Sequence, residues 1–106
     1  MSIEVLTKET FNQTIAESKI PVIVDFYADW CQPCKRISRT LEEIAEESNG
    51  KFSVYKVNTD NDPDLAIEYN VSGIPNIISF VDGKLHKRVV GVVPKEELLE
   101  LVNLTF

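Results

Sequence analysis

The sequence predicts an α/β protein in which helices cover both faces of one mixed sheet. Three observations point there. The run Val22-Ile23-Val24-Asp25-Phe26-Tyr27 is apolar without strict alternation, the mark of a strand buried on both faces. Segments with helical spacing alternate with strand-like segments through the first half, which implies parallel strands joined by right-handed crossovers. Late in the chain, Asp82-Gly83-Lys84 separates two apolar runs, a hairpin signal that adds an antiparallel pair.

The elements follow in order. Ile3-Glu4-Val5 reads as a short first strand. Thr7 is placed to cap a helix reaching toward Lys19, with Phe11, Ile15 and Ala16 on its inner face and Pro21 beyond its end. Val22 to Tyr27 is the second strand. After the two cysteines, Ile37, Leu41, Ile44 and Ala45 recur at helical spacing until Asn49-Gly50 supplies a stop. Phe52, Val54 and Val57 outline a third strand. Asp62-Pro63 has the form of an N-cap followed by proline at the first helical position, opening a short helix through Tyr69. Ile77 to Val81 and Leu85 to Val90 form the hairpin, and Pro94 opens a last helix that turns Leu98, Leu101 and Val102 inward. The order is β-α-β-α-β-α-β-β-α.

No repeat, linker or low-complexity tract divides the 106 residues, so one domain over 1–106 is expected. With 43% hydrophobic and 26% charged residues the composition is that of an ordinary soluble globular protein. A formal net charge of −6 argues against non-specific nucleic-acid binding. The start, Met1-Ser2-Ile3-Glu4-Val5, lacks the basic and apolar regions of a secretory signal, and no apolar run approaches a membrane span. Two cysteines spaced as CxxC do not make a disulfide scaffold, so a reducing, cytoplasmic setting is expected.

Both cysteines lie in Trp30-Cys31-Gln32-Pro33-Cys34, where a strand gives way to a helix. The start of a helix presents unpaired N–H groups and the positive end of the macrodipole, and both favour a thiolate. An ordinary thiol, with pKa ~8.5, is only slightly ionised at neutral pH, so this position raises reactivity. Three residues apart on a first helical turn, the sulfurs fall on one side, with Cys31 expected to be the more exposed. Pro33 sits just inside the helix, where its missing N–H costs little. Structural thiols or half of a metal site are the competing readings. Zinc normally takes four protein ligands at a structural site, and the chain adds only His86, which reads as a solvated strand residue beside Lys87 and Arg88. No metal and no cofactor are therefore expected.

Asp25 interrupts a strand that is otherwise apolar. Burial there raises a carboxyl pKa and can make the group a proton acceptor near neutral pH. Lys56, on the neighbouring strand, is placed to modulate it. A strand-edge aspartate, paired for stability or simply solvated, is the equal alternative. Gly73-Ile74-Pro75 precedes a strand, and periodicity leaves the Pro75 peptide either cis or trans.

Taken as a set, Val24-Asp25-Phe26-Tyr27-Ala28-Asp29-Trp30-Cys31-Gln32-Pro33-Cys34-Lys35 resembles the active-site segment of the thioredoxin family. The resemblance covers nearly the whole chain: Val57-Asn58-Thr59-Asp60, Val71-Ser72-Gly73-Ile74-Pro75, Phe80-Val81-Asp82-Gly83 and Gly91 follow in the family's order. It implies a thioredoxin fold, three layers α/β/α with a five-stranded mixed sheet and four helices. It also implies a general protein-disulfide reductase, with Cys31 as attacking nucleophile and Cys34 as resolving thiol. Asp25, near Lys56, would accept the proton of Cys34. Pro75 would be cis and face the cysteines, and Ile74 would offer backbone hydrogen bonds to an extended client. Trp30, Gln32, Pro33, Gly73, Ile74, Gly91 and Val92 would form the docking surface. The implied partners of this monomer are a thioredoxin reductase, NADPH- or ferredoxin-linked, and disulfide-containing client proteins.

Three positions depart from the family pattern. Gln32 stands where glycine is usual, giving CQPC for CGPC. Arg39 replaces the proline that kinks the helix, which implies a straighter helix and another positive charge beside Lys35 and Arg36. Asn76 replaces the common threonine after the proline. Gln32 also prompts a second reading, a specialised oxidant or isomerase on the same scaffold, since a ~30 mV change is only about 1.4 kcal/mol for a two-electron couple. A third is a binding module whose apolar face around Trp30 and Ile74 docks a partner without exchange chemistry.

Overall fold

A computed structural model describes residues 3–103. Its elements run β1 (Glu4–Val5), α1 (Lys8–Glu17), β2 (Val22–Tyr27), α2 (Gln32–Glu47), β3 (Ser53–Asn58), α3 (Pro63–Glu68), β4 (Asn76–Val81), β5 (Lys84–Val90) and α4 (Lys95–Glu100). The strands form one sheet in the order β1-β3-β2-β4-β5. β1 and β2 run parallel to β3, whereas β4 is antiparallel to β2 and to β5. The mixed sheet and its helices match the expectation.

Strand alternation sorts the core into two layers. Val22, Val24 and Phe26 face one side with Ile78 and Phe80, where they meet Phe11 and Ile15 of α1 and Leu65 of α3. Ile23 and Ile77 face the other side with Ile37, Leu41 and Ile44 of α2, Leu98 of α4 and Leu101 at the α4 C-cap. The first layer contains an aromatic cluster among its aliphatic side chains. The Phe11 ring lies 5.3 Å from that of Tyr69 and 5.7 Å, edge to face, from that of Phe80. On the other side, Lys95 ties α4 to α2 through Glu43 (2.7 Å) and Glu47 (2.9 Å).

β2 lies between β3 and β4 and is buried on both faces, as its apolar run requires. The hairpin turn is the two residues Asp82 and Gly83, both at positive φ (53° and 79°), so Lys84 already belongs to β5. That pair of left-handed conformations matches the right-handed twist of the strands it joins.

Some local expectations are corrected and others hold. Ala16 is exposed, because α1 rests on Phe11 and Ile15 alone. Asp62 is the N-cap of α3 and Pro63 its first residue, as expected, but the Asp62 side chain makes no capping bond to that helix; its Oδ1 accepts a hydrogen bond from the N–H of Lys8, at the start of α1 (3.0 Å). Pro94 opens α4 as expected, standing as its N-cap. Val102 lies past the end of α4 and is half-buried, yet it packs inward against the α2–α4 core as expected. His86 is not a freely solvated strand residue: the β4–β5 register shifts between Ser79 and Phe80, pairing Ser79 with Lys87 and Phe80 with Leu85. His86 falls in that bulge, half-buried, and its Nε2 is buried without a hydrogen-bond partner among the described residues.

Candidate active site

Cys31 is the N-cap of α2, and Gln32 and Pro33 are its first two residues. Proline in this first turn sacrifices no intrahelical bond. The N–H of Cys34 donates to Cys31 Sγ at 3.2 Å, so an orphan donor of the helix start points at that sulfur. The two sulfurs are joined in a disulfide, with their Cα atoms 5.2 Å apart. Both cysteines are buried in this state, at 4% and 2% exposure, so the expected contrast between them is slight. They pack with Ala28, against Tyr27 and Ile74. α2 runs unbroken through Arg39, as the missing proline implies.

Asp25 belongs to the same site because of strand parity. It shares the α2 side of β2 with Ile23, and it stands opposite Lys56 in the β2–β3 register. Asp25, Cys34, Lys35, Ser38, Arg39 and Lys56 line one cleft of about 240 Å³ beneath the start of α2. Asp25 is 1% exposed, and its Oδ1 finds no hydrogen-bond partner among the described residues. Burial drives its pKa from 3.8 up to about 7, against the opposing charge of Lys56. The Lys56 ammonium sits 4.9 Å from the centroid of the Tyr27 ring, a cation–π contact. A carboxyl held near neutrality beside a cysteine can exchange a proton with it.

On the outer side of the sulfurs, the Ile74–Pro75 peptide is cis. Pro75 is buried, and its carbonyl accepts from the N–H of Gly91 at 2.8 Å, joining the two loops of the expected docking surface. Ile74 packs against the cysteines, while Gly73 is exposed. Trp30 is 69% exposed, with its indole N–H bound to Asp60 Oδ2 (2.9 Å), and Val92 is 48% exposed. Gln32 is exposed at the helix start. The sequence-predicted residues thus fall into two groups around one disulfide: Asp25 and Lys56 on the cleft side, and Trp30, Gly73, Ile74, Gly91 and Val92 on the surface side.

Sequence reasoning missed three participants. Asp60 holds the Trp30 ring from the end of β3, and Ser38 lines the Asp25 cleft from the second turn of α2. Arg88 reaches the loop before Pro75 through Asn76. Only the four-residue spacing of Cys34 and Ser38 could have hinted at the second of these.

Comparison with known proteins gives a consistent result. The family described as Thioredoxin matches residues 2–104. The chain is 44% identical to a thioredoxin of Griffithsia pacifica over 103 residues, covering 97% of this chain and 94% of that one. It is 43% identical to thioredoxin 1 of Nostoc sp. over 98 residues, 92% of each chain. With the chloroplastic M-type thioredoxin of Spinacia oleracea it shares 40% identity over 94 residues, 89% of this chain but 52% of the spinach protein.

Proposed function

The chain belongs to the thioredoxin family and is a thiol–disulfide exchange protein, and from that premise we propose that residues 1–106 act as one domain, a general protein-disulfide reductase in which Cys31 attacks and Cys34 resolves. The observation that carries this reading is the asymmetry of the two sulfurs. Cys31 Sγ receives the helix-start N–H, whereas Cys34 borders the cleft that holds Asp25.

In the reduced protein the Cys31 thiolate attacks one sulfur of a client disulfide. An S–S bond forms between client and Cys31 as the client's own S–S bond breaks, and the departing client thiolate takes up a proton. The N–H of Cys34 stabilises the attacking thiolate. Cys34 then gives its proton to Asp25, whose pKa of about 7 makes it an effective acceptor at neutral pH. The Cys34 thiolate attacks Cys31 Sγ, forming the Cys31–Cys34 disulfide as the mixed S–S bond breaks, and the second client sulfur leaves as a thiolate that takes up a proton. Two electrons have passed to the client, and the product is the oxidised form seen in the structure.

Docking precedes this chemistry. Trp30, Gln32, Pro33, Gly73, Ile74, Gly91 and Val92 offer a mostly apolar, exposed surface around the sulfurs, and the Ile74 backbone offers hydrogen bonds to an extended client segment. Pro75 holds that backbone at the site. Thioredoxins receive electrons from a reductase and act on disulfide clients. For this chain the donor is an NADPH-linked flavoprotein or a ferredoxin-linked reductase, and the protein works as a monomer in the cytoplasm. No helix among the described residues is long and apolar enough to cross a membrane, and the relatives include chloroplastic and cyanobacterial thioredoxins.

The test is insulin reduction driven by dithiothreitol. Wild type should turn over rapidly, Cys31→Ser should fall to background, and Cys34→Ser should accumulate a mixed disulfide with insulin through Cys31. Activity retained in Cys31→Ser would remove the nucleophile assignment. Mixed disulfides formed through Cys34 in that variant would reverse the two roles.

A further inference from the structure

Behind the Gly73–Ile74 docking loop, on the face of the sheet opposite Asp25, two side chains form a continuous tie. Asn76, the first residue of β4, is 2% exposed. Alternation places it with Ile78 and Phe80 on the side of α1 and α3. Its Nδ2 donates to the Gly73 carbonyl at 3.2 Å, and its Oδ1 accepts from Arg88 Nη1 at 2.9 Å. Arg88, opposite Ile78 in the β4–β5 register, also donates through Nη2 to the carbonyl of Tyr69, the C-cap of α3.

The chemistry of these groups makes the arrangement directional. A guanidinium has only donors, so the amide oxygen of Asn76 must face it, and the amide N–H groups are left for Gly73. Arg88 in turn satisfies a carbonyl at the end of a helix, where no further intrahelical donor follows. The tie therefore anchors the 70–75 loop at two points, Tyr69 just before it and Gly73 within it. Tyr69 is itself fixed in the aromatic core, its ring 5.4 Å from that of Phe80.

We infer that Asn76 and Arg88 are positioning residues for client recognition: they hold the Gly73–Ile74 backbone in the form on which a client strand docks, and so set client affinity without taking part in the exchange at sulfur. The inference rests on the reading of that loop as the docking wall. Neither residue lines the Asp25 cleft, and neither belongs to the cluster around the cysteines. Losing the tie frees a loop that docking must then order again, which weakens binding but leaves the chemistry of the bound complex alone.

Three variants test this, each with insulin as client and dithiothreitol as reductant. Asn76→Asp keeps the acceptor facing Arg88 and loses the donor to Gly73. Asn76→Ala loses both bonds, and Arg88→Met removes the fork. Each should raise KM for insulin about 3- to 10-fold, the scale of one lost hydrogen bond. In each, kcat, the rate of reaction with the small disulfide DTNB, and the redox equilibrium with glutathione should stay at wild-type values. A purely structural role would make KM follow folding stability, so Asn76→Asp, which retains the Arg88 bond, would bind insulin like wild type. That result, or an unchanged KM in all three variants, overturns the inference. Ile74→Lys, run in parallel, then locates the failure: a raised KM there leaves the docking wall standing, and an unchanged KM removes the docking wall as well.

Discussion

Replacing Asp25 with asparagine removes one ionisable group from the interior of the sheet while nearly preserving its shape. Burial lifts the Asp25 pKa from 3.8 to about 7. Between those values the folded chain keeps a proton that the unfolded chain releases, so wild-type stability falls as pH rises through this window. At about 1.4 kcal/mol per pH unit, the loss accumulates to roughly 4 kcal/mol by about pH 7 and levels off above it. The stability that a raised carboxyl pKa contributes is present in acid and absent in base, the reverse of a salt-bridged aspartate. Asp25→Asn has no such proton to lose. Its buried amide carries a constant cost of about 1–3 kcal/mol if unpaired, but that offset does not vary with pH. Guanidinium unfolding of the oxidised proteins from pH 4 to 9 isolates the effect, because the disulfide-bonded cysteines do not titrate. The variant should gain on wild type by roughly 4 kcal/mol between about pH 4 and 7, then hold that lead. A difference that is flat in pH, or one that grows in favour of wild type as pH rises, would refute the account of Asp25 as a desolvated carboxyl. Insulin turnover should slow in the same variant at neutral pH, since Cys34 loses its proton acceptor.

Two further predictions use the same structure. Lys56→Met removes the charge that opposes desolvation, so the Asp25 carboxyl should titrate above about 7. Carboxyl-carbon NMR of the oxidised protein reads this directly, and an unmoved or lowered midpoint would contradict it. Phe11→Ala empties the centre of the aromatic layer, where Phe11 is fully buried between Phe80 and Tyr69. It should cost about 3–5 kcal/mol in guanidinium unfolding. A loss under about 1 kcal/mol would mean that the layer collapses around the gap.

β2 could be read from the sequence to the residue, because a strand buried on both faces must be apolar throughout and Pro21 marks its start. The α2 start was equally clear, since Cys31, Pro33 and the later Ile37, Leu41 and Ile44 obey local rules of capping and period. Sequence reasoning falls short where a residue's partner lies far along the chain. Asp62 is the N-cap of α3 as its sequence form implies, but its carboxylate serves α1, fifty-four residues earlier. His86 fits a strand pattern, but a bulge set by its pairing with β4 changes its surroundings. Ala16 has the right spacing for a core position and lies outside the stripe that α1 buries.

The candidate site shows the same division. Its cysteines were legible because their spacing and their place at a helix start are local facts, and Asp25 stood out as a charge in an apolar strand. That Asp25 lies beneath α2, across from Lys56 and in one cleft with Cys34, depends on the β2–β3 register and on strand parity, which no local pattern states. Likewise Asn76 showed only as a departure from the family's threonine; Arg88 reaches it because β4 and β5 pair with Ile78 opposite Arg88. The α/β class, the element order and the identity of the reactive pair are legible in the chain alone, because capping, periodicity and motif spacing act within a few residues. Which carboxyl shares a cleft with which sulfur, and what ties down the loop before Pro75, emerge only on folding, because strand register and side-chain burial are settled between segments distant in the chain.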